Sequence, residues 1–120
     1  MQSESATQSE AAESGARWRV VAGRNILFDG EGFFWQADDW SADAAEELAR
    51  EVGIARLSGT QWRVIEFLRE FYFENGRSPL NRRLAAGVGM SLLDLERLFP
   101  RGIKYGARRL AGLPNPKNCS

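Results

Sequence analysis

One hundred and twenty residues amount to a single domain's length of chain, enough to close one hydrophobic core without covalent staples. With 43% hydrophobic and 27% charged residues the composition is that of an ordinary globular protein, and no stretch approaches the ~20 apolar residues of a membrane helix. A lone cysteine excludes an internal disulfide, and zero histidines exclude a Ser-His-Asp triad, a Cys-His dyad and the common histidine-based zinc sites. The first seventeen residues lack the apolar run of a secretory signal, so a cytoplasmic location is expected. Zero net charge conceals a division. Residues 1–60 hold five Arg against eleven acids, and residues 61–120 hold eleven Lys and Arg against five. Such asymmetry points to an anionic partner for the C-terminal half, or to attraction between the two halves of one molecule.

Residues 1–17 are rich in Ser, Gln, Ala and Glu and cannot bury enough surface to offset their ordering entropy, which predicts a disordered tail. From Trp18, short apolar runs alternate with turn signals at Gly23-Arg24-Asn25 and Asp29-Gly30-Glu31-Gly32. This pattern predicts a meander of two or three antiparallel strands over 18–35, too small to stand without helices. Ser41 is a good N-cap for a helix whose apolar positions are Ala45, Leu48, Ala49 and Val52, with Gly53 at its end. Ser58 and Gln61 make a capping box for a longer helix to about Glu74, with Gly76 behind it. That helix is apolar on most of its circumference and belongs at the centre of a core. Ser78-Pro79 reads as an N-cap and first helical residue of a short helix ending near Gly87. Ser91 opens another, stopped by Pro100, and a basic helix follows around 103–111. The fold class expected is α+β: a small N-terminal meander on a mainly helical bundle, spanning 18–112, with a flexible arm over 113–120.

The arm carries the chemistry. Cys119 is the chain's one soft nucleophile, and Pro114 and Pro116 bias the segment before it towards an extended rod of about 3.1 Å per residue. Leu113 to Cys119 would then project the sulfur roughly 20 Å from the last helix. Lys117, Arg108 and Arg109 would favour the thiolate if the arm folded back. The plainer alternative is an incidental exposed thiol on a frayed end.

The run Leu98-Phe99-Pro100, Gly102, Ala107, then Ala111-Gly112-Leu113-Pro114-Asn115-Pro116-Lys117-Asn118-Cys119-Ser120 resembles the C-terminal arm of the DsrC/TusE family. That family comprises the gamma subunit associated with dissimilatory sulfite reductase and its tRNA-thiolation relative. Its signature is a swinging arm with a penultimate cysteine. Phe28-Asp29, Glu31-Gly32-Phe33, Asp39-Trp40, Gln61-Trp62, Ile65 to Arg69 and Tyr72 extend the likeness over roughly 19–120. The resemblance implies a sulfur carrier in which Cys119 holds a persulfide, Gly112 is the hinge, and Leu113, Pro114 and Pro116 belong to the arm. It requires no cofactor or metal, and "enzyme" applies only in the sense of a persulfide-carrying sulfurtransferase. Partners implied are persulfide-donating sulfurtransferases and a sulfur-accepting protein such as a tRNA thiolase, with Arg101, Lys104, Arg108 and Arg109 as docking residues. Members that work with sulfite reductase carry a second cysteine at the position of Arg108, so an arm-spanning disulfide or trisulfide is impossible here. This departure favours the TusE-like role. Arg101 to Ala107 also departs from the family's usual stretch.

A competing expectation comes from Leu84 to Phe99, which resembles the helix-turn-helix of AraC-type regulators. Arg82, Arg83, Arg97, Arg101, Lys104, Arg108 and Arg109 would then contact phosphates, yet the reading helix offers Asp94 and Glu96, which phosphates repel. The basic stretch also leaves room for a weak or indirect nucleic-acid contact. The remaining clusters are bland. Asp38-Asp39 and Asp43-Glu46-Glu47 complement a helix dipole, and the four tryptophans read as core. The glycine-rich turn lacks the lysine and Ser/Thr of a phosphate loop.

Overall fold

The computed structural model describes residues 15–116. Two strands, β1 (Arg17–Val21) and β2 (Arg24–Phe28), pair antiparallel with Trp18 opposite Leu27 and Arg19 opposite Ile26. The expected third strand is reduced to a single bridge between Phe28 and Phe34. Val21, Ile26 and Phe28 turn into the core, and Leu27 on the other face of β2 is buried too. Trp18, opposite Leu27, is 56% exposed, so the expectation that all four tryptophans are core fails for this one. Trp40 and Trp62 meet edge to face at 6.4 Å, partly buried against the core.

A short 3-10 turn (Ala37–Asp39) leads to α1 (Ala42–Glu51), whose N-cap Ser41 accepts from the Ala44 N–H. Next comes α2 (Gly59–Asn75), opened by the reciprocal capping box of Ser58 and Gln61 and closed by Gly76 in the left-handed conformation. Gln61 does double duty, because its Nε2 donates to the Leu98 carbonyl at 2.9 Å. Val64, Ile65 and Leu68 are the buried stripe of α2, whereas Phe67, Phe71 and Tyr72 are only half-buried and Phe73 is exposed. The all-round apolar helix is therefore central on one side and open on the other.

The short helices α3 (Asn81–Val88) and α4 (Leu92–Leu98) form the expected pair, with Ser91 capping α4 through the Asp94 N–H. The start of α3 differs from expectation. Its N-cap is Leu80, and Ser78-Pro79 lies outside the helix, with the Ser78 hydroxyl and the Pro79 carbonyl both accepting from Arg108. The final basic helix is wound as a π-helix (Ile103–Arg108), started by the Glu96 carboxylate accepting from the Ile103 N–H. Arg69, from α2, donates to the carbonyls of Ala111 and Ala37 and lies 4.1 Å from the Trp40 ring. The α+β architecture expected from the sequence is the one observed, with the chain leaving the core after Leu113.

Candidate functional site at the root of the C-terminal arm

The arm leaves a rigid base. Trp40 Nε1 donates to the Leu110 carbonyl at 2.8 Å and Arg69 Nη1 to the Ala111 carbonyl at 2.8 Å, so two successive carbonyls at the end of the helix are fixed by side chains from distant segments. Gly112 turns at φ +73° directly against the Trp40 indole, where an added Cβ would lie 2.3 Å from Cδ1. Leu113 is 0% exposed and its N–H donates to the Arg108 carbonyl. Leu113, expected in the arm, is core, and Gly112 lies against Trp40. The segment that leaves the core begins at Pro114.

Pro114, Asn115 and Pro116 are half-exposed and form a strut between two clefts. One, of about 470 Å³, is lined by Tyr72, Arg77, Leu80 and Arg108 on the side opposite the strut. The other, of about 480 Å³, is lined by Asp29, Glu31, Trp35 and Lys104. Asn115 Nδ2 spans the second edge, donating to Asp29 Oδ2 and Glu31 Oε2 at 3.0 Å each. Cys119 and Lys117 lie outside the described residues.

The four basic residues expected to dock a partner divide into two kinds. Arg101 is exposed and Lys104 half-buried, with their cations 5.9 and 5.1 Å from the Tyr105 ring. Arg109 is half-buried and binds the carbonyls of Gly32 and Tyr105 at 3.2 Å, and burial pushes its pKa down. Arg108 is corrected outright. At 1% exposure it is no surface residue: Nε donates to Ser78 Oγ at 2.9 Å, Nη1 to Asn81 Oδ1 at 2.8 Å, and Nη2 to the Pro79 carbonyl. A buried guanidinium is tolerated because a ring of oxygens replaces its hydration. The same bonds engage the Ser78 hydroxyl, so it does not cap α3, which starts at Asn81.

Sequence reasoning missed the anchoring pair Trp40 and Arg69 as parts of this site. Their signal was present only as scattered matches to the family pattern, because a stacked guanidinium between two segments leaves no periodicity. Among the described residues, no group of three or more His, Cys, Asp or Glu side chains is placed to hold a metal ion, and no helix is long and apolar enough to cross a membrane.

The family model described as "DsrC like protein" matches residues 20–120, which includes the whole arm. The chain belongs to the DsrC-like family. Its relatives include the gamma subunit of dissimilatory-type sulfite reductase from Nitratidesulfovibrio vulgaris, 35% identical over 97 residues, covering 81% of this chain and 92% of that one. They also include the sulfurtransferase TusE of Sodalis glossinidius, 38% identical over 104 residues, covering 81% and 95%. In three dimensions the DsrC-like fold seen here is similar to a chain in the crystal structure of dissimilatory sulfite reductase I. The TM-score is 0.78 at 33% identity, covering 87% of this chain and all of the other. It is likewise similar to Allochromatium vinosum DsrC, with a TM-score of 0.75 at 34% identity, covering 88% and 99%. By their names, one of these relatives is a sulfurtransferase and the other a subunit of a dissimilatory-type sulfite reductase.

Proposed function

We propose that this DsrC-like protein is a single-cysteine sulfur carrier acting in the cytoplasm, with Cys119 as the carrying atom. The observation that carries the reading is the family match, which runs through the arm to residue 120 and so takes in Pro114, Pro116 and the penultimate Cys119. The Cys119 thiolate attacks the outer sulfur of a donor's cysteine persulfide. A new S–S bond forms at Cys119 as the donor's S–S bond breaks, and the donor leaves as a thiolate. An acceptor thiolate then attacks the outer sulfur on Cys119, which departs as thiolate. Both steps move a sulfur atom between thiols with no net oxidant or reductant, so the chain's lack of histidine is no obstacle.

The finer reading is a relay towards 2-thiouridine in tRNA, with sulfurtransferases as donors and a tRNA thiolase as acceptor. Arg108 supports it: the position that pairs with the penultimate cysteine in sulfite-reductase partners is here a buried, hydrogen-bonded arginine. Arg101, which is exposed, and Lys104, which lines a cleft with Asn115 and Pro116, are the docking residues of choice for an acidic partner face. The DNA-binding alternative gains nothing from the geometry. The exposed positions of α4 include Leu92, Leu93, Asp94 and Glu96, and Glu96 is committed to the π-helix.

The test is sulfur loading. Reduced protein is incubated with a cysteine desulfurase, cysteine and a persulfide-relay donor, then its intact mass is read beside Cys119→Ser. Added mass in whole sulfur atoms in the wild type alone is the expected result. Equal loading of Cys119→Ser would overturn the assignment of Cys119, and no loading of either would overturn the carrier reading.

A further inference from the structure

Asn115 is the one residue of the strut that reaches across to the rest of the molecule through a polar side chain. Its amide Nδ2 donates at 3.0 Å to one oxygen of Asp29 and at 3.0 Å to one of Glu31. Both acceptors are held in place before the amide arrives. Asp29 Oδ1 accepts from the N–H groups of Glu31 and Phe33 at 2.9 Å each, a side-chain turn that fixes its other oxygen outward. Glu31 Oε1 accepts from the Tyr105 hydroxyl at 2.8 Å, and the Tyr105 ring leans on Phe33 at 5.7 Å between centroids. Arg109 ties down the same loop through the Gly32 carbonyl.

The donor is equally well prepared. Prolines on both sides of Asn115 restrict its backbone, so little conformational freedom is lost when the amide is seated. Two carboxylates converging on one nitrogen repel each other, and a bridging donor relieves that repulsion. An amide, unlike an ammonium, offers hydrogen bonds without full charge neutralisation, so the contact is strong enough to seat the strut and weak enough to release it.

We infer that Asn115, Asp29, Glu31 and Tyr105 form a latch that seats the arm root on the loop after β2 (residues 29–33, the β2 loop), and that its opening sets how often the arm is free to enter a partner. The inference rests on the carrier reading for its purpose, though not for its existence. Asn115 and Glu31 act as positioning residues, since neither touches sulfur in the transfer.

A lysine-specific endoprotease reads the latch directly. The chain has two lysines, Lys104 within the π-helix and Lys117 two residues beyond Asn115. A protease binds several residues on each side of the scissile bond in extended form, so cutting after Lys117 requires Asn115 to leave Asp29 and Glu31. With opening fast relative to cleavage, the rate of losing Asn118-Cys119-Ser120, followed by intact mass, reports the open fraction. Asn115→Ala and Glu31→Ala are each expected to accelerate it about five- to tenfold with little change in Tm. The double variant should be no faster than Asn115→Ala alone, because Glu31 acts through the amide. A free peptide of residues 112–120 with Asn or Ala at 115 should be cut at one rate.

Sulfur loading of Asn115→Ala from the same donor should rise alongside cleavage. Unchanged cleavage in Glu31→Ala would overturn the latch. Faster cleavage with unchanged loading would overturn its gating of the arm. A wild type that takes up no sulfur would overturn the carrier reading while leaving the proteolysis result standing.

Discussion

At Gly112 the chain makes its last turn inside the core, and the Trp40 indole occupies the space a side chain would need. Gly112→Ala combines left-handed strain with a collision against an aromatic ring that is itself held by a hydrogen bond to Leu110. A loss of about 2–4 kcal/mol in urea denaturation is expected, a magnitude typical of such combined defects. Arg108 makes the complementary case. Removing its side chain in Arg108→Ala leaves Ser78, Asn81 and the Pro79 carbonyl without their shared donor and opens a cavity, for an expected loss of about 3–5 kcal/mol by the same measurement. The charge of Arg108 was legible in the sequence, where it read as surface. Its burial was not, because the oxygens that replace its water come from a segment some thirty residues earlier.

Local elements were the most legible part of the chain, since caps are decided within four residues. Ser41, the Ser58 and Gln61 box, and Ser91 all open helices as their spacing predicts. Ser58→Ala should lower stability by about 1 kcal/mol, seen as a shift in the urea midpoint at constant slope. Ser78-Pro79 carries an equally good local signal and does not start α3, because Arg108 claims its oxygens first. The β2 loop has its own pH signature. The Tyr105 hydroxyl and, next, the Asn115 amide hold the Glu31 carboxyl below the ordinary glutamate range, with Lys104 adding to the effect and burial opposing it. A folded pKa below the unfolded one makes this contribution complete above the unfolded value and lost as pH falls through the folded one. The Glu31 side-chain carboxyl resonance should therefore titrate with a midpoint below that of a free glutamate, and Asn115→Ala should move it upward.

For the whole molecule the decisive boundary lies between Leu113 and Pro114. Truncation after Leu113 removes the strut and Cys119 while keeping every fully buried side chain among the described residues, so Tm is expected to stay close to the wild-type value. Truncation after Gly112 also deletes a leucine with no exposed surface, for an expected loss of about 2–4 kcal/mol in thermal denaturation. Equal stability of the two truncations would show that Leu113 is not core.

The sequence alone determined the order and type of most elements, the family resemblance and the place of the single cysteine in its motif, because these depend on near neighbours, on periodicity and on the residues around Cys119. Tertiary structure decided which way each residue faces and where the arm begins. Trp18 is exposed although its cross-strand partner Leu27 is buried, Arg108 is interior because three distant oxygens meet it, and Leu113 is core because Trp40 and Arg69 fix the two residues before Gly112. The hydrogen bonds of Arg108, Arg69 and Trp40 join residues 27 to 70 positions apart, and no local pattern encodes a partner at that distance.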